Sequence, residues 1–297
     1  MTNKKNLLVL FISLIIFFST QSIYALKQDD LHEKMVDNIL LIGKDGVEGK
    51  GASRSDTMII LTIDNLNKSL KLTSLARDII VKIPNRGYEK LNHAYAYGGV
   101  DLLIKTINEN LNLNLKDYAI VDFRSFIEII DALGGVTIDV NEKEINHLNK
   151  VINTCYGLSE QKEGNIEYIT NIGNQQLNGY QALAYARIRK MDTIYNRDER
   201  QRKILANVAQ NLSNTSVTNY ASIVKSLIKY VDVNISFSKI MKMALISHEL
   251  ASYDIKQLQF PSEKYREETK LEENGMFVVK WEKDKNIEML HKFIYGN

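Results

Sequence analysis

Residues 57–75 read TMIILTIDNLNKSLKLTSL. Two β-prone runs, Thr57–Ile63 and Ser69–Leu75, flank the segment Asp64-Asn65-Leu66-Asn67-Lys68. Two such runs around an Asn-rich and Asp-rich turn predict a β-hairpin. Upstream, Asn38-Ile39-Leu40-Leu41-Ile42-Gly43 is a short apolar run ended by glycine, the pattern of a buried strand. Downstream, Ile79–Ile83 adds another strand, closed by Pro84-Asn85-Arg86-Gly87. Leu102, Leu103, Ile107 and Leu111 then recur at helical spacing within Val100–Leu111, and Tyr118–Phe123 reads as a strand. Phe126, Ile127, Ile130 and Leu133 share one helical face, which Gly134-Gly135 stops. Val136–Val140 alternates as a strand, and residues 141–173, polar throughout, read as an irregular insertion.

The second half continues the alternation. Asn178-Gly179-Tyr180-Gln181 carries a capping-box signature that opens a helix through Ala182, Ala184 and Ala186. Asn196-Arg197-Asp198-Glu199 is a second such signature, before a helix with Ile204, Leu205, Val208 and Leu212 on its buried side. Further helices fit 220–230 and 237–250, strands fit 257–260 and 276–281, and a helix over 284–294 finishes the chain. Helices and strands alternating throughout predict an α/β fold on a mixed sheet. No Pro-rich or Gly-rich linker divides residues 36–297, so they are expected to form one domain.

Composition bounds the function. The chain has 297 residues, 44% hydrophobic and 25% charged, which are globular values. A net charge of +2 argues against nucleic-acid binding by bulk charge, so basic character must be local. The single cysteine, Cys155, excludes an internal disulfide and reads as a small buried or loop thiol. At the N-terminus, Lys4-Lys5 precede an apolar run from Leu7 that continues with few breaks to Leu26. That is about the ~20 residues a bilayer span needs, and the flanking charge favours an exported remainder. A cleaved signal peptide with a cut after Ala25 is the competing reading, and it exports the protein equally. The expected layout is a cytoplasmic tip and membrane anchor over residues 1–26, a polar linker over 27–35, and an extracytoplasmic domain over 36–297.

Local basic character is concentrated in ARIRKMDTIYNRDERQRK, residues 186–203, which holds five of the ten arginines. Arginine presents a planar fork of donors that grips phosphate oxygens in pairs. Two further arginines stand beside carboxylates, in Arg54-Ser55-Asp56-Thr57 and Arg77-Asp78. Asp45 and Asp56 lie at strand ends on either side of the glycine-rich segment Gly43–Gly51, a plausible Mg2+ pair. That segment lacks G-x-x-x-x-G-K-[ST] and leads into a strand, so it is not a P-loop. Arg187 and Arg189, two residues apart, share a side only on extended chain. Arg197 and Arg200 are expected on one face of a helix's first turn, where a bound anion would offset the unfavourable dipole. Arg202 is read as solvated and His93 as a hydrogen-bonded structural histidine. These features point to a phosphate-handling site, most simply one for pyrophosphate.

The segments Asn38–Asp45, Arg54–Thr57, Ser74-Leu75-Ala76-Arg77-Asp78, KLNHAYAYGG from Lys90, Gly134-Gly135-Val136, LNGYQALAYARIR from Leu177 and Arg197-Asp198-Glu199-Arg200-Gln201 occur in that order. Together they resemble the LytR-CpsA-Psr family over about residues 36–205. The resemblance implies an α/β/α sandwich with a hydrophobic tunnel for a lipid tail. It implies a single-pass, extracytoplasmic phosphotransferase in the membrane of a Gram-positive bacterium. Its reaction would move a teichoic-acid-like or capsular glycopolymer from a polyprenyl-pyrophosphate carrier to a peptidoglycan hydroxyl. Its partners would be that lipid-linked glycan, the peptidoglycan acceptor and the membrane, with no nucleic acid.

Carried over by position, Asp45 and Asp56 would hold Mg2+, with Mn2+ as the alternative ion. Arg54, Arg77, Arg187, Arg189, Arg197, Arg200 and Gln201 would hold the pyrophosphate. Arg77 and Asp78 would be catalytic, Asp78 as base or orienting carboxylate. The chain departs from the family pattern at Ala76 and Ile79, where proline and threonine are frequent, and at Ile194, which replaces a frequent acid. Two other readings remain at this level: a polyprenyl-phosphate-binding regulator of envelope genes, and a carrier-lipid pyrophosphatase.

Overall fold

The computed structural model describes residues 36–45, 54–159, 165–188, 194–213, 228–236, 250, 252–271 and 275–296. The expected anchor and linker lie outside them, as do the expected helices at 220–230 and 237–250, apart from a 3-10 turn at Ile228–Tyr230 and residue 250. Among the described residues no helix is long and apolar enough to cross a membrane. The chain divides into two compact units. One spans Val121–Ser252, and the other joins the stretch ending at Ile120 to Tyr253–Asn297.

The second of these units is built on the sheet. Strands β1 (Val36–Asp45), β2 (Arg54–Asp64) and β3 (Ser69–Leu75) pair antiparallel in succession. The strand Asp254–Phe260 lies parallel to β3. β4 (Ile80–Ile83) and β5 (Gly87–Lys90) form a separate hairpin, and β6 (Asp117–Val121) adjoins β1. The sheet is therefore mixed, as the alternation of elements predicts. The β2–β3 turn is fixed by Asp64, which accepts hydrogen bonds from Asn67 N and Nδ2 at 2.9 and 2.8 Å. Ile39, Leu40, Ile59, Ile60, Ile63 and Leu72 form the apolar centre. Each such side chain stabilises the fold by about 1.5–3 kcal/mol.

Every residue of β3 is buried, including Lys71. Its ammonium reaches Asp64 Oδ2 at 2.8 Å and the Ile294 carbonyl at 2.8 Å. A buried charge persists only when paired in this way. Helix α1 (Leu91–Leu111) begins at the end of β5 and breaks at Gly98-Gly99, where Gly99 takes φ 63°. The expected helix from Val100 is the part after the break. The earlier turns, Leu91–Tyr97, place Leu91 and Ala94 in the core.

In the unit Val121–Ser252, helix α2 (Phe123–Ala132) starts at Asp122, whose carboxylate accepts from Ser125 N at 2.8 Å. Gly134 and Gly135 end the approach to the next strand with φ of +80° and +88°. A Cβ on Gly135 would sit 2.5 Å from the Leu177 carbonyl, so the position needs glycine twice over. β7 (Val136–Val140) pairs antiparallel with β8 (Gly173–Leu177).

The expected irregular insertion at 141–173 is corrected by helix α3 (Glu142–Tyr156). Asn141 and Glu144 form a complete capping box, and Glu144, Leu148, Ile152 and Cys155 recur at helical spacing on its buried side. The abundance of Asn, Glu and Lys there marks the opposite, wet face. Helix α4 (Gly179–Ala186) opens on the expected Asn178–Gln181 capping box. It packs closely on α2: Gly179 N donates to Asp131 Oδ1 at 2.6 Å, and a Cβ at Gly179 would meet the Ile127 carbonyl at 2.3 Å.

Candidate functional site

The β1–β2 register holds the first part of the site. Asp45 stands opposite Arg54, Lys44 opposite Ser55 and Gly43 opposite Thr57. Asp56 is therefore the extra residue of a β-bulge. Bulges bend a strand and re-aim side chains, and they recur beside active sites. Asp56 is 6% exposed, and its Oδ1 accepts from Arg77 Nη1. Arg77 occupies the turn between β3 and β4. Its Nε donates to Asp78 Oδ2 at 3.2 Å. Asp78 is also 6% exposed, and its Oδ1 accepts from Lys90 Nζ at 2.7 Å.

The result is a chain of alternating charge, Asp56–Arg77–Asp78–Lys90, drawn from three segments: the start of β2, the turn after β3 and the end of β5. Burial works against the charge on Arg77, but Asp56 and Asp78 outweigh it and raise its pKa above the usual arginine value. The side chain keeps a quarter of its surface open. A fixed, partly open cation between buried carboxylates is suited to hold an anion or to share one with a metal.

Lys90 is the residue of this cluster that sequence reasoning did not assign. Its signal was present, since it opens the KLNHAYAYGG segment. His93, in the same segment, hydrogen-bonds Glu89 through Nδ1 at 2.8 Å, as a structural histidine should. Tyr97 Oη also donates to Glu89, at 2.7 Å. These hydrogen bonds hold the Glu89 carboxyl below its ordinary pKa.

Asp45 and Asp56 fall on adjoining strands, at a register end and a bulge. The side chains of Asp45 and Arg54 lie outside what the structure describes. Among the described residues no three His, Cys, Asp or Glu side chains cluster as a metal site. Mg2+ needs only one or two carboxylates and completes its shell with water and phosphate, so two aspartates on adjoining strands remain a candidate pair.

The other expected arginines belong to the unit Val121–Ser252. Arg187 caps α4, stacks its guanidinium 4.4 Å from the Phe123 ring centroid and lies 3.6 Å from Cys155 Sγ. Cys155 is buried, as expected, and burial raises its pKa even though Arg187 works the other way. Arg189 lies outside the described residues. Helix α5 (Ile194–Ser213) begins two residues before Asn196. The second capping box is thereby corrected: Asn196 is inside the helix and Arg197 is its fourth residue, past the free N–H groups of the first turn. Arg197 and Arg200 are both buried, and Gln201 is half-buried. Arg200 Nη2 donates to the Ile188 carbonyl at 2.8 Å, and Nη1 lies 3.6 Å from Glu144 Oε1. Its guanidinium also lies 5.9 Å from the Tyr185 ring centroid. Arg202 is not solvated, being 7% exposed. Burial lowers its pKa, while Asp198 and Glu199 on the same helix support its charge.

An α/β protein with a mixed sheet and a charged cluster at its strand ends is the class these features define. The chain belongs to the LytR_cpsA_psr family, whose model matches residues 19–292. It is 35% identical over 224 residues to the polyisoprenyl-teichoic acid–peptidoglycan teichoic acid transferase TagU of Enterococcus faecalis, covering 73% of this chain and 68% of the relative. It is 32% identical over 240 residues to the regulatory protein MsrR of Staphylococcus aureus, covering 80% and 68%. Among solved structures, it resembles a LytR-CPS2A-psr family protein, YwtF (TagT), with bound octaprenyl pyrophosphate lipid. That match has a TM-score of 0.65 and 25% identity, covering 93% of this chain and 95% of the other.

Proposed function

We propose that this protein is a phosphotransferase that moves a glycopolymer from a polyprenyl-pyrophosphate carrier to a peptidoglycan hydroxyl on the outer face of the cell membrane. The observation that carries the reading is the Asp56–Arg77–Asp78–Lys90 cluster, in a chain that shares its family with a named teichoic acid transferase. The apolar run before Leu26 is the proposed membrane anchor.

In the proposed reaction the acceptor oxygen attacks the phosphorus that bears the glycan. The bond from that phosphorus to the bridging oxygen breaks, polyprenyl phosphate leaves, and the hydroxyl proton passes to solvent. Arg77 is the proposed holder of phosphate oxygens and of charge that grows on the leaving phosphate. Asp78 uses one oxygen on Arg77 and the other on Lys90, so its proposed role is to position both cations. Asp56, with Asp45, is the proposed holder of Mg2+. The ion would supply further neutralisation of the pyrophosphate when bound. Arg187, Arg189, Arg197 and Gln201 are proposed phosphate contacts. Arg200, held to the Ile188 carbonyl, is proposed to position the segment that carries Arg187 and Arg189.

The test is to incubate the full-length protein with lipid-linked glycan, Mg2+ and peptidoglycan oligomers and to look for glycan covalently joined to peptidoglycan. Affinity for the carrier lipid without turnover would instead favour a lipid-phosphate-binding regulator, a reading the name of the MsrR relative keeps in view. Release of free glycan phosphate without an acceptor product would favour a pyrophosphatase.

A further inference from the structure

The β4–β5 hairpin carries a second feature on the side where Lys90 meets Asp78. Ile80 pairs with Lys90 and Lys82 pairs with Tyr88. Directly opposed residues share a face, and so do residues two apart on one strand. Ile80, Lys82, Tyr88 and Lys90 therefore line one side of the hairpin. A recess of about 400 Å³ opens there, and Ile80, Lys82 and Tyr88 form part of its wall. Lys280, Trp281 and Lys283 line it as well. Tyr88 lies two positions along the strand from Lys90, roughly 7 Å at the usual rise.

The recess is built on fixed groups. Trp281 Nε1 donates to the Ile80 carbonyl at 2.8 Å, and its ring meets Phe260 edge-on at 5.3 Å. The buried side chain of Asn110, on the last turn of α1, accepts from Lys82 N at 3.0 Å and donates to the Lys82 carbonyl at 2.9 Å. Tyr88, by contrast, is 74% exposed, a large aromatic ring left in water. Lys82, Lys280 and Lys283 are all exposed, and among the described residues none of them forms an ion pair. Glu109, the one carboxylate in the lining, lies 3.9 Å from Lys105. The recess is therefore lined by two aromatic side chains, a hydrogen-bonded Asn110 and three lysines that form no ion pair among the described residues.

We propose that this recess is a saccharide subsite that takes a short anionic glycan segment and leads it to Asp78 and Lys90. Sugar rings present apolar C–H faces that suit Tyr88 and Trp281, and carboxylate or phosphate substituents suit the three lysines. A free phosphate would use the lysines and leave the aromatic rings idle. A neutral sugar would leave the charge unanswered. The proposal deepens the transfer reading and rests on it for the identity of the glycan: an anionic sugar could belong to the acceptor or to the glycopolymer being transferred.

Direct binding to the full-length protein tests it, with three disaccharide probes. One carries muramic-acid carboxylate, one carries a phosphate diester, and one is neutral chitobiose. The expected result is measurable binding of at least one anionic probe and at least tenfold weaker binding of chitobiose. Tyr88→Ala, and separately Lys280→Glu with Lys283→Glu, should each weaken the preferred anionic probe at least fivefold. All three positions sit at the surface, and unchanged melting temperatures would confirm folded variants. Preference for the muramic probe assigns the recess to the acceptor, and preference for the phosphate probe assigns it to the donor polymer. Equal affinity for all three probes, or anionic binding that survives both variants, overturns the subsite. If the variants lose probe binding while no glycan transfer is detected in wild-type protein, the subsite stands and the transferase reading falls.

Discussion

Lys90 Nζ lies 2.7 Å from Asp78 Oδ1, while Arg77 Nε lies 3.2 Å from Asp78 Oδ2. One buried carboxylate thus holds two cations that come from different segments, the turn after β3 and the end of β5. Lys90→Met keeps the length of the side chain and removes its charge. With charge-assisted bonds contributing about 1.5–3 kcal/mol, transfer should fall roughly 10- to 100-fold. Lys90→Arg should recover part of the loss. Steady-state transfer assays on both variants, with circular dichroism to confirm folding, check this. A Lys90→Met protein with wild-type transfer would remove Lys90 from the site.

Asp56→Asn isolates the proposed metal role. The substitution leaves an acceptor for Arg77 Nη1 and removes the negative charge at the bulge. If Asp56 holds Mg2+ jointly with substrate phosphate, transfer should fall at least ~100-fold, an effect of about 2.7 kcal/mol or more. The protein should keep its fold, and excess Mg2+ should rescue it poorly. A titration of transfer against Mg2+ concentration, with a chelator control, gives the answer. Normal transfer by Asp56→Asn in the presence of chelator would end the assignment.

A third expectation concerns stability. Burial alone would raise the pKa of Asp64, but the hydrogen bonds from Lys71 and Asn67 outweigh it and hold the value below that of an ordinary aspartate. A carboxyl depressed in the folded state contributes stability above its unfolded value, ~4. That contribution is lost as pH falls through the folded value. Wild-type melting temperature should therefore drop as pH is lowered from about 5 toward 2. Asp64→Asn, which leaves Lys71 buried without its counter-charge, should cost about 3–5 kcal/mol at neutral pH and show a shallower decline in acid. Thermal melts across that range measure both effects.

The hairpin at Thr57–Leu75 and the capping box at Asn178–Gln181 were legible because each is a local pattern with a local cause. The helix Glu142–Tyr156 was equally local, but its stripe of Leu148, Ile152 and Cys155 is narrow and was masked by the polar residues around it. The start of α5 was misplaced because Asn196-Arg197-Asp198-Glu199 satisfies the capping-box spacing while lying inside the helix. The acids and arginines proposed for the site are marked in the sequence by residue type and family resemblance. Lys90 was not, because its role depends on a strand pairing that returns β5 to the residues after β3. No periodicity in the sequence reports that distance. The buried state of Arg202 was missed for a similar reason: a run of charge looks solvated until the helix is packed.

The arginines of the unit Val121–Ser252 separate an enzyme from a binding protein. Arg187 stacks on Phe123, and Arg200 is tied to the Ile188 carbonyl and Glu144. If Arg187 meets charge that develops during phosphoryl transfer, its loss must slow the chemical step more than it weakens carrier binding. Arg187→Ala should then lower single-turnover transfer about 10- to 100-fold, with a smaller change in affinity for the carrier lipid. Arg187→Lys should rescue poorly, because a point charge lacks the planar fork and stacks less well on Phe123. Arg200→Lys should behave differently. It removes the fork that joins Ile188 to Glu144, so melting temperature and transfer should fall together. Carrier affinity, single-turnover rate and thermal stability measured on the same four proteins decide between the roles. Equal losses of affinity and rate in Arg187→Ala would indicate a binding function, and an Arg200→Lys protein of wild-type stability would contradict its positioning role.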